Sequence, residues 1–86
     1  NTIKYTLTAA DYALVGNDRY GNFDVRSGKG EELESVRLEK INTILLNNFP
    51  NDAEGQKYIV SYNIYNGANG IWSLAVIKEG AAYVKQ

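Results

Sequence analysis

Residues 57–77 read KYIVSYNIYNGANGIWSLAVI, and this stretch decides the fold. Apolar and polar side chains alternate on both sides of the Asn/Gly-rich residues 66–70, and a period of two is typical of strands with one buried face. Asn-Gly pairs between two such runs predict a β-hairpin. Trp72 alternates in phase with Leu74 and Val76, so we expect its indole to be buried in the core.

The segment before the hairpin, residues 31–48, has the pattern of one long helix. Its apolar side chains fall on a single stripe at 100° per residue. The stripe consists of Leu33, Leu38, Ile41, Ile44 and Leu45. Three glutamates at 31, 32 and 34 are expected in the first turn, where they complement the positive end of the helix. Pro50 ends the helix, because the residue before a proline is pushed out of the α region.

The N-terminal part predicts a strand and a short helix. Residues 2–8 alternate strictly, as a half-buried strand does. Thr8 and Asp11 have the spacing of a capping box, which predicts a helix over residues 9–15 that Gly16 closes.

Residues 16–30 contain four glycines and little periodicity, so we interpret them as an irregular loop that Phe23 and Val25 attach to the core. Loops of this length without regular structure are uncommon in compact domains and are often functional. We therefore look for a site here first.

Together these elements predict the α+β class. We expect a single domain over residues 1–86 with two layers, in which the long helix packs on a small, mostly antiparallel sheet. The short helix follows the first strand, the hairpin is C-terminal, and residues 81–84 are compatible with a short last strand.

Composition excludes several classes of function. The chain has no histidine and no cysteine, which removes catalytic triads, thiol chemistry and histidine zinc sites. Nine basic and ten acidic residues give a net charge of −1, which argues against nucleic acid as a partner. No apolar run is long enough for membrane insertion by this segment. We predict no catalytic residue, no cofactor and no metal ligand.

Candidate binding residues are those that lie in the loop or out of phase with the core. Tyr20 and Tyr65 are the aromatic residues expected to be exposed, and Asp18, Asp24 and Arg26 are charged groups of the loop. The loop's Asp and Asn side chains offer oxygen ligands for Ca²⁺, but they lack the spacing of an EF-hand. Asx residues in turns usually bond their own backbone.

Four stretches resemble modules of Bacteroidetes cell-envelope lipoproteins, many of them of unknown function. They are YTLTAADY at 5–12, LLNNFP at 45–50, YNIYNG at 62–67 and GIWSLAV at 70–76. The resemblance implies export to the cell envelope or periplasm and a binding or adhesive role at the surface. It transfers no catalytic residue.

Three functions remain open. The leading hypothesis is a non-catalytic binding module of an exported bacterial surface protein, with a protein or carbohydrate partner. The second is a small metal-dependent or hydrolytic domain that uses loop 16–30. The third is a structural domain that forms a homodimer through an exposed sheet edge.

Overall fold

The computed structural model describes residues 1–86. The chain forms five strands and two helices. In order they are β1 (Thr2–Thr6), α1 (Ala9–Leu14), β2 (Phe23–Asp24), α2 (Glu34–Asn48), β3 (Lys57–Tyr65), β4 (Asn69–Glu79) and β5 (Ala82–Lys85). The predicted α+β class is confirmed, with a short helix after the first strand, a long helix on the sheet and a C-terminal hairpin.

The sheet is built around β3. On one edge of β3, β1 pairs in parallel with residues 57–61 and β2 pairs in parallel with residues 64–65. On the other edge β4 runs antiparallel along the whole of β3, and β5 then pairs antiparallel with residues 76–79 of β4. The sheet is therefore mixed, because the helices carry the chain back to the same end before β3 begins.

The core lies between α2 and one face of the sheet. Ile41, Ile44 and Leu45 of α2 are fully buried. They belong to a single cluster of 14 buried apolar residues that includes Tyr58, Tyr62 and Val76 of the hairpin. The side chains that the alternation assigned to the buried face of β3 are thus in the core as predicted.

Helix α1 begins as the capping box predicts. Asp11 N–H donates to the Thr8 hydroxyl at 3.2 Å, and Thr8 N–H donates to the Asp11 carboxylate at 2.9 Å. Asn48 at the end of α2 and the Tyr5 hydroxyl also donate to this carboxylate. Burial alone would raise the pKa of Asp11, but the hydrogen bonds from Asn48, Tyr5 and Thr8 outweigh it and lower the pKa.

Helix α2 begins three residues later than predicted. Glu31 and Glu32 lie outside it, because their carboxylates accept hydrogen bonds from the amides of Asp24, Gly28 and Gly30. Leu33 is the N-cap in extended conformation. Leu33 is 56% exposed, so it does not pack in the core with Ile41, Ile44 and Leu45 of the predicted stripe.

Loop 16–30 is not wholly irregular. Phe23 and Asp24 form β2, with Phe23 opposite Ile64 and Asp24 opposite Tyr65. Phe23 is fully buried and Val25 nearly so, and both belong to the core cluster. The prediction that these two side chains attach the loop to the core is confirmed, and the strand they create was missed.

Trp72 is more exposed than predicted. It lies opposite the buried Tyr62, so it is on the face of the sheet that α2 covers, as the alternation indicated. Its side chain is nevertheless 40% exposed. The reason is that β5 stops opposite Val76, which leaves the outer side of β4 open at Trp72.

The other face of the sheet is open to solvent. We call it the open face; its exposed residues include Lys4, Thr6, Asn63, Ile71 and Ser73. Neither α1 nor α2 combines the length and the apolar character that crossing a membrane requires.

Candidate functional site

The segment around β2 carries alternate side chains to opposite faces of the sheet. Phe23 and Val25 point into the core, so Asn22, Asp24 and Arg26 lie on the open face. This alternation is visible in the sequence and is the signal that would have predicted a strand here. The glycines on both sides conceal it.

These side chains form one wall of a cleft of about 390 Å³ at the end of the sheet near the hairpin turn. Its six lining residues are Tyr20, Asn22, Asp24, Arg26, Tyr65 and Asn69. Of the five candidates from the sequence, the structure brings four together in this cleft. Asp18 is exposed and does not line it. The other two lining residues were not predicted to bind: Asn22 was considered only among the loop's oxygen ligands for Ca²⁺, and Asn69 was not considered.

Asp24 and Arg26 form the charged centre of the cleft. Arg26 donates from Nε to Asp24 Oδ1 at 2.9 Å and from Nη2 to Oδ2 at 2.7 Å, the two-pronged geometry that favours arginine over lysine. The hydrogen bonds from the Arg26 side chain are the main cause that lowers the pKa of Asp24 to about 2. Both groups therefore stay charged at neutral pH, and their charges cancel locally.

The guanidinium of Arg26 also lies over the ring of Tyr65, 4.9 Å from its centre. One face of Tyr65 is consequently covered, and the ring acts as a support for the ion pair. The guanidinium of Arg19 lies over the ring of Tyr20 in the same way, 5.2 Å from its centre, but Tyr20 is still 74% exposed. Of the two tyrosines in the cleft, Tyr20 therefore has the larger surface accessible to a ligand.

Glu31 fixes the position of β2, which forms one wall of the cleft. Its carboxylate accepts from Asp24 N–H at 2.8 Å, from Asn17 Nδ2 at 2.7 Å and from Lys40 Nζ at 2.7 Å. Burial would raise the pKa of Glu31, but the hydrogen bonds from Lys40, Asn17 and Asp24 lower it. Because Lys40 belongs to α2, this network ties β2 to the long helix, and the cleft rests on packed secondary structure.

A shallow groove of about 500 Å³ continues the cleft along the open face. It shares Tyr20, Asn22 and Asn69 with the cleft and extends to Asn63 and Ile71. Asn63 Nδ2 donates to the Gly21 carbonyl at 3.1 Å, which fixes the floor of the groove. The combined surface is rich in carboxamides and carries one exposed aliphatic side chain.

The cleft does not have the form of a metal centre. No group of three or more acidic side chains is placed to hold an ion. Both carboxylate oxygens of Asp24 already accept hydrogen bonds from Arg26. A cation would have to break the ion pair to reach Asp24.

Comparison with known proteins returns no similarity. No family model matches the chain, and neither a curated protein nor a solved structure matches it. The function must therefore be argued from the geometry and chemistry of the cleft.

Proposed function

We propose that this chain is a non-catalytic binding module of an exported bacterial surface protein, and that the cleft is its ligand site. The observation that carries the proposal is the convergence of Tyr20, Asp24, Arg26 and Tyr65 with two asparagines on a sheet face that no helix covers. Residues far apart in sequence meet there without forming part of the core. Location at the cell surface is supported by the sequence resemblance alone.

The chemistry of the cleft fits a neutral, polar ligand. Asp24 and Arg26 cancel each other's charge at 2.7 Å, so the cleft favours neither anions nor cations. The carboxamides of Asn22 and Asn69 each offer donors and an acceptor, and the exposed ring of Tyr20 offers an apolar surface. Neighbouring hydroxyls and a C–H face are what a pyranose ring presents. A sugar unit of a glycan is therefore our preferred ligand, and a polar protein segment is the alternative partner.

The size of the cleft agrees with this assignment. Ligand pockets range from about 300 to 1,000 Å³, and the cleft lies at the lower end of that range. The groove beside it gives room for a second unit of a chain. We therefore expect short oligosaccharides to bind better than monosaccharides.

NMR titration of isotope-labelled protein tests the assignment. The probes are neutral hexoses and N-acetylhexosamines, as monosaccharides and disaccharides, with a uronic acid as charged comparison. We expect a neutral sugar to shift the side-chain amide signals of Asn22 and Asn69. If none of these sugars shifts the two amide signals, or if they shift only signals outside the cleft and groove, the result contradicts a glycan ligand.

A calcium titration distinguishes the metal-dependent alternative. An ion that binds the folded state and not the unfolded chain raises the melting temperature. We expect no change with calcium, because the carboxylate of Asp24 is already engaged by Arg26. A rise in melting temperature that Asp24→Asn abolishes would favour the metal-dependent domain instead.

A further inference from the structure

The edges of this sheet are protected at every strand except one. On β5, the outward N–H of Tyr83 donates to Asn42 Oδ1 of α2 at 2.7 Å. On β2, the outward N–H of Asp24 donates to Glu31 Oε1 at 2.8 Å. The outer edge of β1 has Lys4 at its centre, a charge of the kind that discourages strand addition.

Strand β4 has a stretch of edge without such protection. Its pairing with β5 covers residues 76–79, and the Gln86 N–H extends the cover to the Ala75 carbonyl at 3.0 Å. Nothing pairs with the outer side of residues 69–74. These residues contain no charged side chain and no proline.

The register shows which main-chain groups are free. The main chain of Lys78 faces the β3 side of β4: its N–H donates to the Gln56 carbonyl, and its carbonyl accepts from the Gly55 N–H. In an antiparallel pair the bonding direction alternates along the strand, so the even-numbered residues of β4 face β3 and the odd-numbered ones face outward. The unpaired N–H and C=O groups of this edge therefore belong to Asn69, Ile71 and Ser73.

The side chains at this edge are apolar and exposed. Ile71 is 72% exposed on the open face, and Trp72 is partly exposed on the opposite face. A strand that added here would cover both. An uncharged edge with free hydrogen-bonding groups and apolar side chains on both faces has the properties of a site for an added strand.

We propose that the edge of β4 over residues 69–73 pairs antiparallel with the same edge of a second copy of this chain, with Ile71 opposite its own copy. The segment is self-complementary in this register: Asn69 faces the second copy's Ser73, and each of the three outward residues exchanges two main-chain hydrogen bonds. Trp72 then lies opposite the second copy's Gly70, where an aromatic ring covers the exposed glycine backbone. Because residues 69–73 carry no charged side chain, pairing the two strands causes no electrostatic repulsion between their side chains.

One neighbouring register, the one centred on Trp72, is blocked by the chain itself. With Trp72 at the centre, Asn69 of the second copy would lie opposite Ala75, where Gln86 already pairs. The register centred on Ile71 ends at Ser73 and leaves Gln86 in place. The interface is short, so the dimer belongs with small, reversible interfaces that bury less than about 1,200 Å².

The dimer has a consequence for the surface. A two-fold axis perpendicular to the sheet keeps the open faces of both copies on the same side. Two clefts then share one surface, and a ligand with repeated units can engage both, which increases its apparent affinity. The dimer itself does not depend on what the cleft binds.

Cysteine substitution tests the register directly, because the chain contains no cysteine of its own. In the proposed register the two Ile71 Cα atoms are about 5.5 Å apart, within the roughly 4.4–6.8 Å that a disulfide spans. Ser73 and its copy are four residues out of register, about 13 Å apart. We expect Ile71→Cys to form a covalent dimer under mild oxidation and the matched control, Ser73→Cys, to remain largely monomeric.

Two measurements on the unmodified chain complete the test. Light scattering at rising concentration should show a shift from monomer to dimer, and amide exchange at Ile71 and Ser73 should slow over the same range. A chain that stays monomeric overturns the proposal. This holds even if the same edge of β4 pairs with a strand from an added peptide. Equal cross-linking of both cysteine variants, or a dimer in which those amides exchange unchanged, overturns the register.

Discussion

The guanidinium carbon of Arg37 lies 5.1 Å from the centre of the Trp72 ring. The same side chain donates to the Tyr62 hydroxyl at 3.0 Å and to the carbonyls of Glu31 and Glu32 at 2.8 and 2.9 Å. Arg37 is buried although it is charged. It therefore joins the start of α2 to β3 and shields one side of the indole that β5 leaves uncovered.

We expect Arg37→Ala to destabilise the protein by about 1–3 kcal/mol, because three acceptors lose a charged donor and a cavity remains. Urea unfolding followed by the fluorescence of Trp72, the only tryptophan, measures the change and reports on its surroundings. Lys57→Ala, at an exposed position, is the control and should stay within about 0.5 kcal/mol. Equal stability of both variants would show that Arg37 has no structural role.

Asp52 anchors two buried tyrosines. Tyr83 donates to Asp52 Oδ2 at 2.6 Å, and the Tyr58 hydroxyl donates to the same oxygen. Asp52→Ala leaves both hydroxyls without this acceptor, so we expect a loss of about 1–3 kcal/mol in the free energy of unfolding. Asp18→Ala removes an exposed carboxylate and should cost at most about 0.5 kcal/mol. Similar losses in the two variants would contradict the anchoring role.

Alkaline pH should destabilise the fold through its tyrosines. Burial is the main cause that raises the pKa of four tyrosines, namely Tyr5, Tyr12, Tyr58 and Tyr83. The pKa of Tyr5 is raised to about 12. A folded-state pKa above the unfolded value of 10.0 means that the stabilisation is complete below pH 10 and is lost as pH rises towards 12. Thermal melting should therefore decline over this window.

Phenolate absorbance gives an independent readout of the same effect. The four tyrosines should ionise only together with unfolding, and in Asp52→Ala the transition should begin at lower pH because the fold is weaker. Gradual ionisation of all seven tyrosines near pH 10 in folded protein would argue against the buried hydroxyls.

The Asp24–Arg26 pair gives a pH dependence of opposite sign. The pKa of Asp24 is lowered from 3.8 to about 2, chiefly by the hydrogen bonds from Arg26. Its stabilising effect is therefore complete above about pH 4 and disappears as pH falls towards 2. In Arg26→Gln the carboxyl should titrate close to its ordinary value, which carbon NMR of Asp24 measures. An unchanged pKa in that variant would mean that another group lowers it.

Tyr20→Ala tests the cleft without disturbing the core. Loss of one stacking ring should weaken the binding of a neutral oligosaccharide about 2- to 10-fold, since aromatic contacts contribute roughly 0.5–1.5 kcal/mol. The melting temperature should not change, because the ring is largely exposed. Leu14→Ala, at an exposed apolar position on α1, is the control. Equal affinity of both variants would remove Tyr20 from the site.

The candidate site was predictable in part. Tyr20 and Tyr65 stood out because they fall outside the core alternation, and Asp24 and Arg26 because they lie in a long loop. Asn22 and Asn69 did not, since asparagine in a turn is ordinary. Only the pairing of Asp24 with Tyr65 across β2 and β3 shows that the loop and the hairpin share one cleft.

Local physics in the sequence determined the hairpin, the capping box of α1, the long helix and the burial of Tyr58 and Tyr62. Each depends on a short repeat of apolar side chains or on hydrogen bonds between residues close in sequence, and both can be recognised from a short stretch of sequence. Tertiary structure alone decided that β1 and β2 run parallel to β3, that Glu31 and Glu32 serve the loop instead of the helix, and that Trp72 is partly exposed. Exposure depends on where a neighbouring strand ends, and no period in the strand itself records that β5 stops opposite Val76.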